Sequence, residues 1–397
     1  MGKKKLALTK KNLKQSIIEA ENWILLSGIQ NSSKKYFGSV NAWYDPKKKK
    51  YSFIYSEING YFLTLMVYLY KRSKNKLYLK RAISSAKWLI KNTQKKNGGF
   101  SCLTVIDKHS SHNFKKDLIY SFDNGVILNG LCSLYKITKK KFLLDSSKRC
   151  ANWLINSCIE KNYDVKPIYD IKVSKFFSSD KEWSTTSGSY HTKISMGLMN
   201  LYSITKINKY KKNAKGICSN SLKFQKKNGR FISFPIKGGT NAHPHCYSAE
   251  GLWSIGKFLN NNQFLKSSYM ATKWIISKKN KKCLIPRLFI DNKPIFFERV
   301  DAIAQVLRLN FLNSNFGKKN LIAKNDLIKM VNLLLKNQVK NKNNHKINGS
   351  FIWGKKSTGE LVKHSNSWVT FFSLQALNMV NDYFDKIDFN LEEFDLI

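Results

Sequence analysis

Acidic side chains are scarce in this chain, so their positions carry information. The 397 residues hold 25 Asp and Glu against 70 Lys and Arg, a formal net charge of +45. Five acids fall in stretches that are otherwise nearly uncharged: Glu57, Asp123, Glu250, Glu298 and Asp301. A carboxyl in such a place has to be paired, hydrogen-bonded or shifted in pKa. Asp123, in the phrase FDNG, together with Glu298 or Asp301, forms a candidate general acid and base. Two such carboxyls suit general acid–base hydrolysis, one giving a proton to the leaving group and the other taking one from water. Proton abstraction from carbon would instead use a neutral base, and His191 in YHT and His245 in HPH are the candidates.

Around these acids and bases stand residues suited to holding a substrate: Tyr55, Glu57, Asn124, Tyr190, His243, Arg299, His364, Asn366, Trp368 and Trp43. An Arg forks a carboxylate, and an aromatic face covers the apolar face of a sugar. Each has a structural alternative. Asp123 can cap its helix through the N–H of Gly125 or Val126. Arg299 can neutralise Glu298 or Asp301, and Glu57 and Glu250 lie deeper, where a structural role competes. His243-Pro-His245 has the look of a metal pair, but no third ligand is spaced to join it. No metal and no cofactor is expected.

The elements that must position these residues repeat along the chain. The stretch Ser121–Ile155 reads as an uncharged helix from about Asn124 to Tyr135, a basic turn at Lys136–Lys141, and an amphipathic helix with Phe142, Cys150, Trp153 and Leu154 on one face. A helix without charge on any side belongs inside, and an amphipathic one covers it. The inner helix recurs in INGYFLTLMVYLY, LNGLCSLY, MGLMNLY, AEGLWSIGKFL, AQVLRLNFL and FSLQALNMV. Aligned, these phrases put Gly60, Gly130, Gly197, Gly251, Val306 and Ser373 in one column, at intervals of 70, 67, 54, 55 and 67 residues. Gly costs a helix about 1 kcal/mol relative to Ala, so four in register point to crowded helix crossings.

The outer helices share A-x-W and its relatives, with Trp23, Trp88, Trp153, Phe224, Trp274 and Leu333 in one column. Trp23 lies on a first helix, about Lys11 to Ser27, that has no inner partner before it. The last inner helix, about Ser367 to Val380, has no outer partner after it. Paired with one another, they close six hairpins into a ring.

Several outer helices end in QKKNGGF, QKKNGRF or NGSF, where Asn-Gly supplies a tight turn. Long connections follow at 101–121, 158–189, 280–297 and 339–364, all leading into the starts of inner helices. The candidate residues therefore gather at one mouth, where six helix N-termini would favour an anion. The expected layout is a single domain over 1–381 and an acidic tail over 382–397. That tail, with Asp382, Asp385, Asp388, Glu392, Glu393 and Asp395, reads as solvated or laid against the Lys-rich surface.

Six helical hairpins in a ring, with the phrases FDNGVILNGL and ANWLI, YHTKISMGLMNLY and HPHCYSAEGLW, resemble the (α/α)6 toroid of the six-hairpin glycosidase superfamily. The resemblance covers nearly the whole chain. It implies an all-α toroid and an enzyme acting on a sugar or uronic acid of a poly- or oligosaccharide, most simply a hydrolase. A sugar epimerase or polysaccharide lyase on the same scaffold is the alternative. Asp123 is similar in placement to a catalytic Asp of the unsaturated glucuronyl hydrolases. QKKNGGF also resembles the Gln-x-x-x-Gly-x-aromatic repeat of terpene cyclases and prenyltransferases, but their Asp-x-Asp-Asp run is missing here.

Composition narrows the partners. Only seven of the 70 basic residues are Arg, and Lys is spread over every turn, as an AT-rich coding sequence would give. Nucleic-acid readers lean on Arg for bidentate contacts, so nucleic acid is not the expected partner. A carbohydrate, neutral or anionic, is; a non-catalytic toroid that holds an anionic glycan is the competing reading. Seven Cys, odd in number and without CxxC spacing, read as reduced thiols of a cytoplasmic protein. No secretory signal and no membrane-spanning segment is legible in the sequence. Oligomeric state is not legible either.

Overall fold

A computed structural model describes residues 9–104, 113–180, 182–233, 238–317, 320–356, 358–388 and 391–397. The chain forms the expected toroid. Its inner helices are α2 (Ser56–Ser73), α4 (Ser121–Thr138), α6 (Thr192–Thr205), α8 (Ala242–Leu259), α10 (Val300–Gly317) and α12 (Ser367–Asp385). Its outer helices are α1 (Lys10–Leu26), α3 (Lys76–Thr93), α5 (Lys141–Trp153), α7 (Asn208–Ser221), α9 (Asn262–Ser277) and α11 (Lys324–Lys336). Each inner helix packs on the next around the circle, α12 returns to α2, and α1 packs on α12. The two unpaired helices thus close the ring on each other.

The glycine column works as close contact between neighbouring inner helices. A Cβ on Gly130 would lie 2.6 Å from the Gly60 carbonyl oxygen on α2, and one on Gly197 would lie 2.6 Å from the Gly125 carbonyl oxygen on α4. A Cβ on Gly251 would meet the Thr192 backbone of α6 at 2.5 Å. Any side chain there would push the helices apart. The outer column is buried at Trp23, Trp88, Trp153 and Trp274, while Phe224 and Leu333 are half-buried.

The Gln-Asn-Gly turns form a repeated brace. Gln94 Nε2 donates to the Gly98 carbonyl of its own turn (3.0 Å) and to the Ser146 carbonyl on the next outer helix, α5 (3.1 Å). Gln225 does the same with Gly229 and with Ser267 of α9, at 3.1 and 2.9 Å. Gln338 does it with Gly349 and with Ser16 of α1, at 3.0 and 2.8 Å, which ties the last hairpin to the first helix. Gly98, Gly229 and Gly349 have φ of +100°, +95° and +88°, a region that favours glycine. The aromatic residue that follows folds inward: Phe100, Phe231 and Phe351 are fully buried. The turns explain the terpene-cyclase-like phrase as a matter of architecture.

The long connections are not plain loops. They form short antiparallel sheets at the mouth: 351–355, 361–366, 43–45 and 50–51 in one; 293–295, 288–290 and 240–241 in another; 118–120, 168–170 and 175–177 in a third. In the first, Trp43 pairs with Asn366 and Tyr44 with Ser365. Segments 54–55, 118–120, 240–241 and 361–366 run directly into α2, α4, α8 and α12. Sheet pairing therefore fixes where these four inner helices begin.

One expectation is corrected at the C-terminus. The tail is not solvated. Helix α12 continues to Asp385, and beyond it Leu391, Phe394, Leu396 and Ile397 are buried inside the ring. Apolar side chains spaced between the acids drive this insertion. Several of the acids do meet surface cations: Asp382 pairs with Arg72 at 2.6 Å and Glu392 with Lys71 at 2.8 Å.

Candidate functional site

The first turns of the inner helices converge, and the side chains they carry form a continuous polar and aromatic lining. On α2, Glu57 is hydrogen-bonded by the hydroxyls of Tyr61 and Tyr55. Tyr61 meets Tyr247 of α8 across the ring, oxygen to oxygen at 2.6 Å. Tyr247 lies 4.4 Å from His243, ring to ring, and His243 Nδ1 is 2.7 Å from Gln305 Oε1 and 3.6 Å from Asp301 Oδ2. Trp368 Nε1 donates to Asp301 at 3.2 Å. Phe372, one turn deeper on α12, packs against Tyr61, His243 and Tyr247. Trp183, carried in by the 158–189 connection, sets its ring against Phe122, Tyr190, His243 and Tyr247.

Three carboxyls in this lining differ in charge state. Burial raises Glu57 to about 7, partly opposed by Tyr61 and Tyr55. Burial, and then the neighbouring Glu57, push Asp123 well above the ordinary carboxyl range. Asp123 sits in the first turn of α4 rather than at its cap, which is Tyr120, and its Oδ2 has no hydrogen-bond partner among the described residues. Asp301 is the opposite case. Burial alone would raise it, but Arg299, His243 and Trp368 outweigh burial and hold it down at about 2. Arg299 grips it with Nε at 2.9 Å and Nη2 at 2.9 Å. The site thus holds one proton-bearing acid, one carboxyl that titrates near neutrality, and one fixed anion.

Of the candidates read from sequence, Tyr55, Glu57, Asp123, Tyr190, His243, Arg299, Asp301 and Trp368 come together. Tyr190 is wall: its hydroxyl donates to the Thr186 carbonyl at 2.7 Å. Trp43 and His364 stack on each other, 5.2 Å apart and 6° from parallel, with Trp43 also edge-on to Trp368, so they line the rim.

Five candidates belong elsewhere. His191 packs between α6 and α7 beside Ile217 and Asn220, and its Nδ1 accepts from the Gly188 N–H at 3.4 Å. His245 is satisfied on both sides, with Phe231 N–H on Nδ1 at 3.2 Å and the Ala271 carbonyl on Nε2 at 3.0 Å. Burial lowers His191 to about 3 and His245 to about 4, so both are neutral and structural. Glu298 faces away from Asp301 and accepts from Asn337 at the end of α11, at 2.7 Å. Asn124 clamps Phe100 through both backbone groups, 2.7 and 3.1 Å, and Asn366 caps α12 through Val369 N–H at 3.1 Å. The period explains the misplacement. His245 lies two residues beyond His243, about 200° around the helix, so it points outward to α9.

The same period marks what was overlooked. Tyr61, Gln305 and Phe372 stand four residues beyond Glu57, Asp301 and Trp368, one turn deeper on the same face, as Tyr247 does beyond His243. Lys193 is a further surprise, a buried ammonium 3.0 Å from Glu250 Oε2 with Arg308 on the other oxygen at 2.6 Å. Among the described residues no group of three or more His, Cys, Asp and Glu is arranged to hold a metal ion.

The sequence profile of glycosyl hydrolase family 76 matches residues 42–145 and 108–254, together more than half of the chain. The chain belongs to this family. That makes it a carbohydrate-active enzyme. No curated protein matches it in sequence. Solved structures share the toroid at low identity. Cellobiose 2-epimerase from Bacillus thermoamylovorans B4167 superposes with a TM-score of 0.71 at 13% identity, covering 93% of this chain and 98% of the other. A sugar epimerase from a ruminal bacterium gives 0.74 at 10%, covering 97% and 100%. An unsaturated glucuronyl hydrolase specific for heparin gives 0.69 at 14%, covering 96% and 100%. These likenesses establish the six-hairpin fold of this family 76 member. No helix of the described chain is long and apolar enough to cross a membrane.

Proposed function

We propose that this family 76 protein hydrolyses a glycosidic bond of an oligo- or polysaccharide at the mouth of the ring, with Asp123 as general acid and Glu57 as general base. The observation that carries the reading is the pair itself: two carboxyls on adjacent inner helices, one keeping its proton and the other titrating near 7. Unlike environments that push two carboxyls apart in pKa assign the acid and the base. The Asp123 O–H passes its proton to the glycosidic oxygen as the C1–O bond breaks. A water attacks the anomeric carbon, and its proton goes to the Glu57 carboxylate. The unpartnered Oδ2 of Asp123 has a hydrogen bond to gain when a leaving-group oxygen arrives. Asp301, permanently charged, steadies positive charge that develops on the sugar ring, and Trp183 and Trp368 offer half-buried ring faces to it. Asp123 and Asp301 are buried, and Trp368 bonds Asp301, so a sugar reaches the carboxyls by displacing rings of the lining.

The test is a panel of mannose-, glucose- and uronic-acid-containing oligosaccharides, scored for new reducing ends and, by chromatography, for epimers. Asp123→Asn is expected to lower the release of reducing ends by at least about a hundredfold with little change in melting temperature. Epimer formation without new reducing ends would overturn hydrolysis. Full activity in Asp123→Asn would remove Asp123 as the acid.

A groove on the outside of the ring favours a second role. It encloses about 770 Å³ along α3, and its walls include Lys34, Lys35, Lys80, Arg81, Lys87, Lys91 and Lys140 with no acid, beside the exposed Phe37. It suits a stretch of anionic polysaccharide held away from the site. Lys80→Gln with Lys87→Gln is expected to weaken retention on dextran sulfate and leave neutral dextran unaffected. Equal retention of both proteins would exclude the groove. What supports a cytoplasmic location is that all seven Cys are free and buried.

A further inference from the structure

The buried C-terminal segment touches every inner helix. Asp395 accepts two bonds from Lys71 of α2, at 2.8 and 2.9 Å. Asn129 of α4 donates to the Phe394 carbonyl at 3.0 Å, and Ser254 and Lys257 of α8 donate to the carbonyls of Glu393 and Leu391 at 2.6 and 3.0 Å. Gln375 of α12 donates to the Asp395 carbonyl at 2.8 Å and accepts from the Ile397 N–H at 3.2 Å. The Ile397 carbonyl accepts from Lys193 of α6 at 3.1 Å and from Arg308 of α10 at 2.9 Å.

The path matters as much as the count. Lys71 lies in the last turn of α2, whereas Lys193 lies in the first turn of α6. The segment therefore enters from the end of the ring opposite the mouth and rises to the level of the site. Leu396 and Ile397 share a void of only about 10 Å³ with Tyr61, Val126 and Lys193, room for one water at most. Tyr61 is one of the two residues that hydrogen-bond Glu57, and Lys193 lies 5.5 Å from the Tyr247 ring.

We propose that Leu391–Ile397 is the floor of the site: it plugs the far end of the ring, shuts water out beneath Glu57, and holds Lys193 and Arg308 in position. The proposal rests on the reading of Glu57 as the titrating carboxyl of the site, but its test needs no substrate. Glu57 is faced by Tyr55 and Tyr61 on its own strand and helix, Cys102 and Lys115 from the adjoining connection, Asp123 from α4, Lys193 from α6 and Tyr247 from α8. Burial is the largest influence raising it. Admitting water from below removes that influence, so the carboxyl returns toward its ordinary range.

The experiment follows the carboxyl carbon of Glu57 by NMR against pH, in protein labelled with 13C at the Glu carboxyl and with the signal assigned through Glu57→Gln. The intact chain is expected to show a midpoint near 7, and a chain ending at Asn390 one displaced toward 4.5. Adding the peptide LEEFDLI in trans is expected to restore the first value. The double variant Leu396→Ala, Ile397→Ala keeps the hydrogen-bonded part of the segment, and a partial displacement is expected. It decides the matter should the shortened chain fail to fold. A folded variant with the midpoint unmoved would overturn the proposal. A displaced midpoint in a protein that releases no sugar would uphold the floor and sink the hydrolytic reading instead.

Discussion

Glu57→Gln links the proposed chemistry to stability. Folded, Glu57 titrates near 7 because burial disfavours its charge; unfolded, it titrates near 4.5. Between those values the native chain holds a proton that the unfolded chain has released, so stability falls as pH rises from 4.5 to 7. Above 7 the loss is complete. The gap corresponds to at most about 3.4 kcal/mol at 1.36 kcal/mol per pH unit, and to about 2 kcal/mol once the half-buried side chain is credited with some water. Gln carries no charge at any pH and nearly matches the protonated acid in shape. It still accepts a hydrogen bond from Tyr61 or Tyr55. The variant is therefore expected to match the parent at about pH 4 and to exceed it by about 2 kcal/mol at about pH 8.5, while losing turnover. Urea unfolding followed by circular dichroism at both pH values measures this, and titrations that do not feel Glu57 cancel in the difference. A variant less stable than the parent at high pH would refute the reasoning, as would a difference that does not vary with pH.

Two other outcomes follow from the packing. Gly130→Ala gains about 1 kcal/mol of helix propensity but loses about 1–3 kcal/mol to overpacking, because its Cβ would sit 2.6 Å from the Gly60 carbonyl oxygen. A net loss in the urea midpoint is expected, and a more stable variant would show that α2 and α4 are free to separate. Asp301→Asn leaves Arg299 without its partner and is expected to cost about 2–4 kcal/mol at neutral pH. The native Asp301 titrates near 2 and the unfolded one near 3.8, so this contribution is present above 3.8 and fades as pH falls toward 2. Unfolding curves for the two proteins that fail to approach one another as pH falls to about 2 would contradict this assignment.

Much of the fold was legible because it repeats. Gly60, Gly130, Gly197 and Gly251 could be aligned by eye, and a repeated need for close approach leaves a repeated small residue. The orphan helices carrying Trp23 and Ser373 could be matched for the same reason: an apolar face without a partner demands one. Asp123, Glu57 and Asp301 stood out because charge is costly inside an apolar helix. What could not be read was direction. His191 and His245 belong to the right turns but face outward, and Glu298 turns to Asn337, because a step of one or two residues carries a side chain to another face. The tail was misread because its six acids dominate the composition, while its insertion depends on four apolar residues and on carbonyls that only the assembled inner helices can bond.

The sequence by itself thus determined the ring, its hairpin order and the end at which polar residues collect, since these follow from periodicity and local propensity. Only the tertiary structure decided which carboxyl keeps its proton and which keeps its charge. That depends on what stands within a few ångströms of each: Tyr61 and Tyr55 around Glu57, Arg299 on Asp301, and a carboxyl oxygen of Asp123 that has no partner among the described residues. Those neighbours come from helices far apart in the chain, and no pattern within one helix records them.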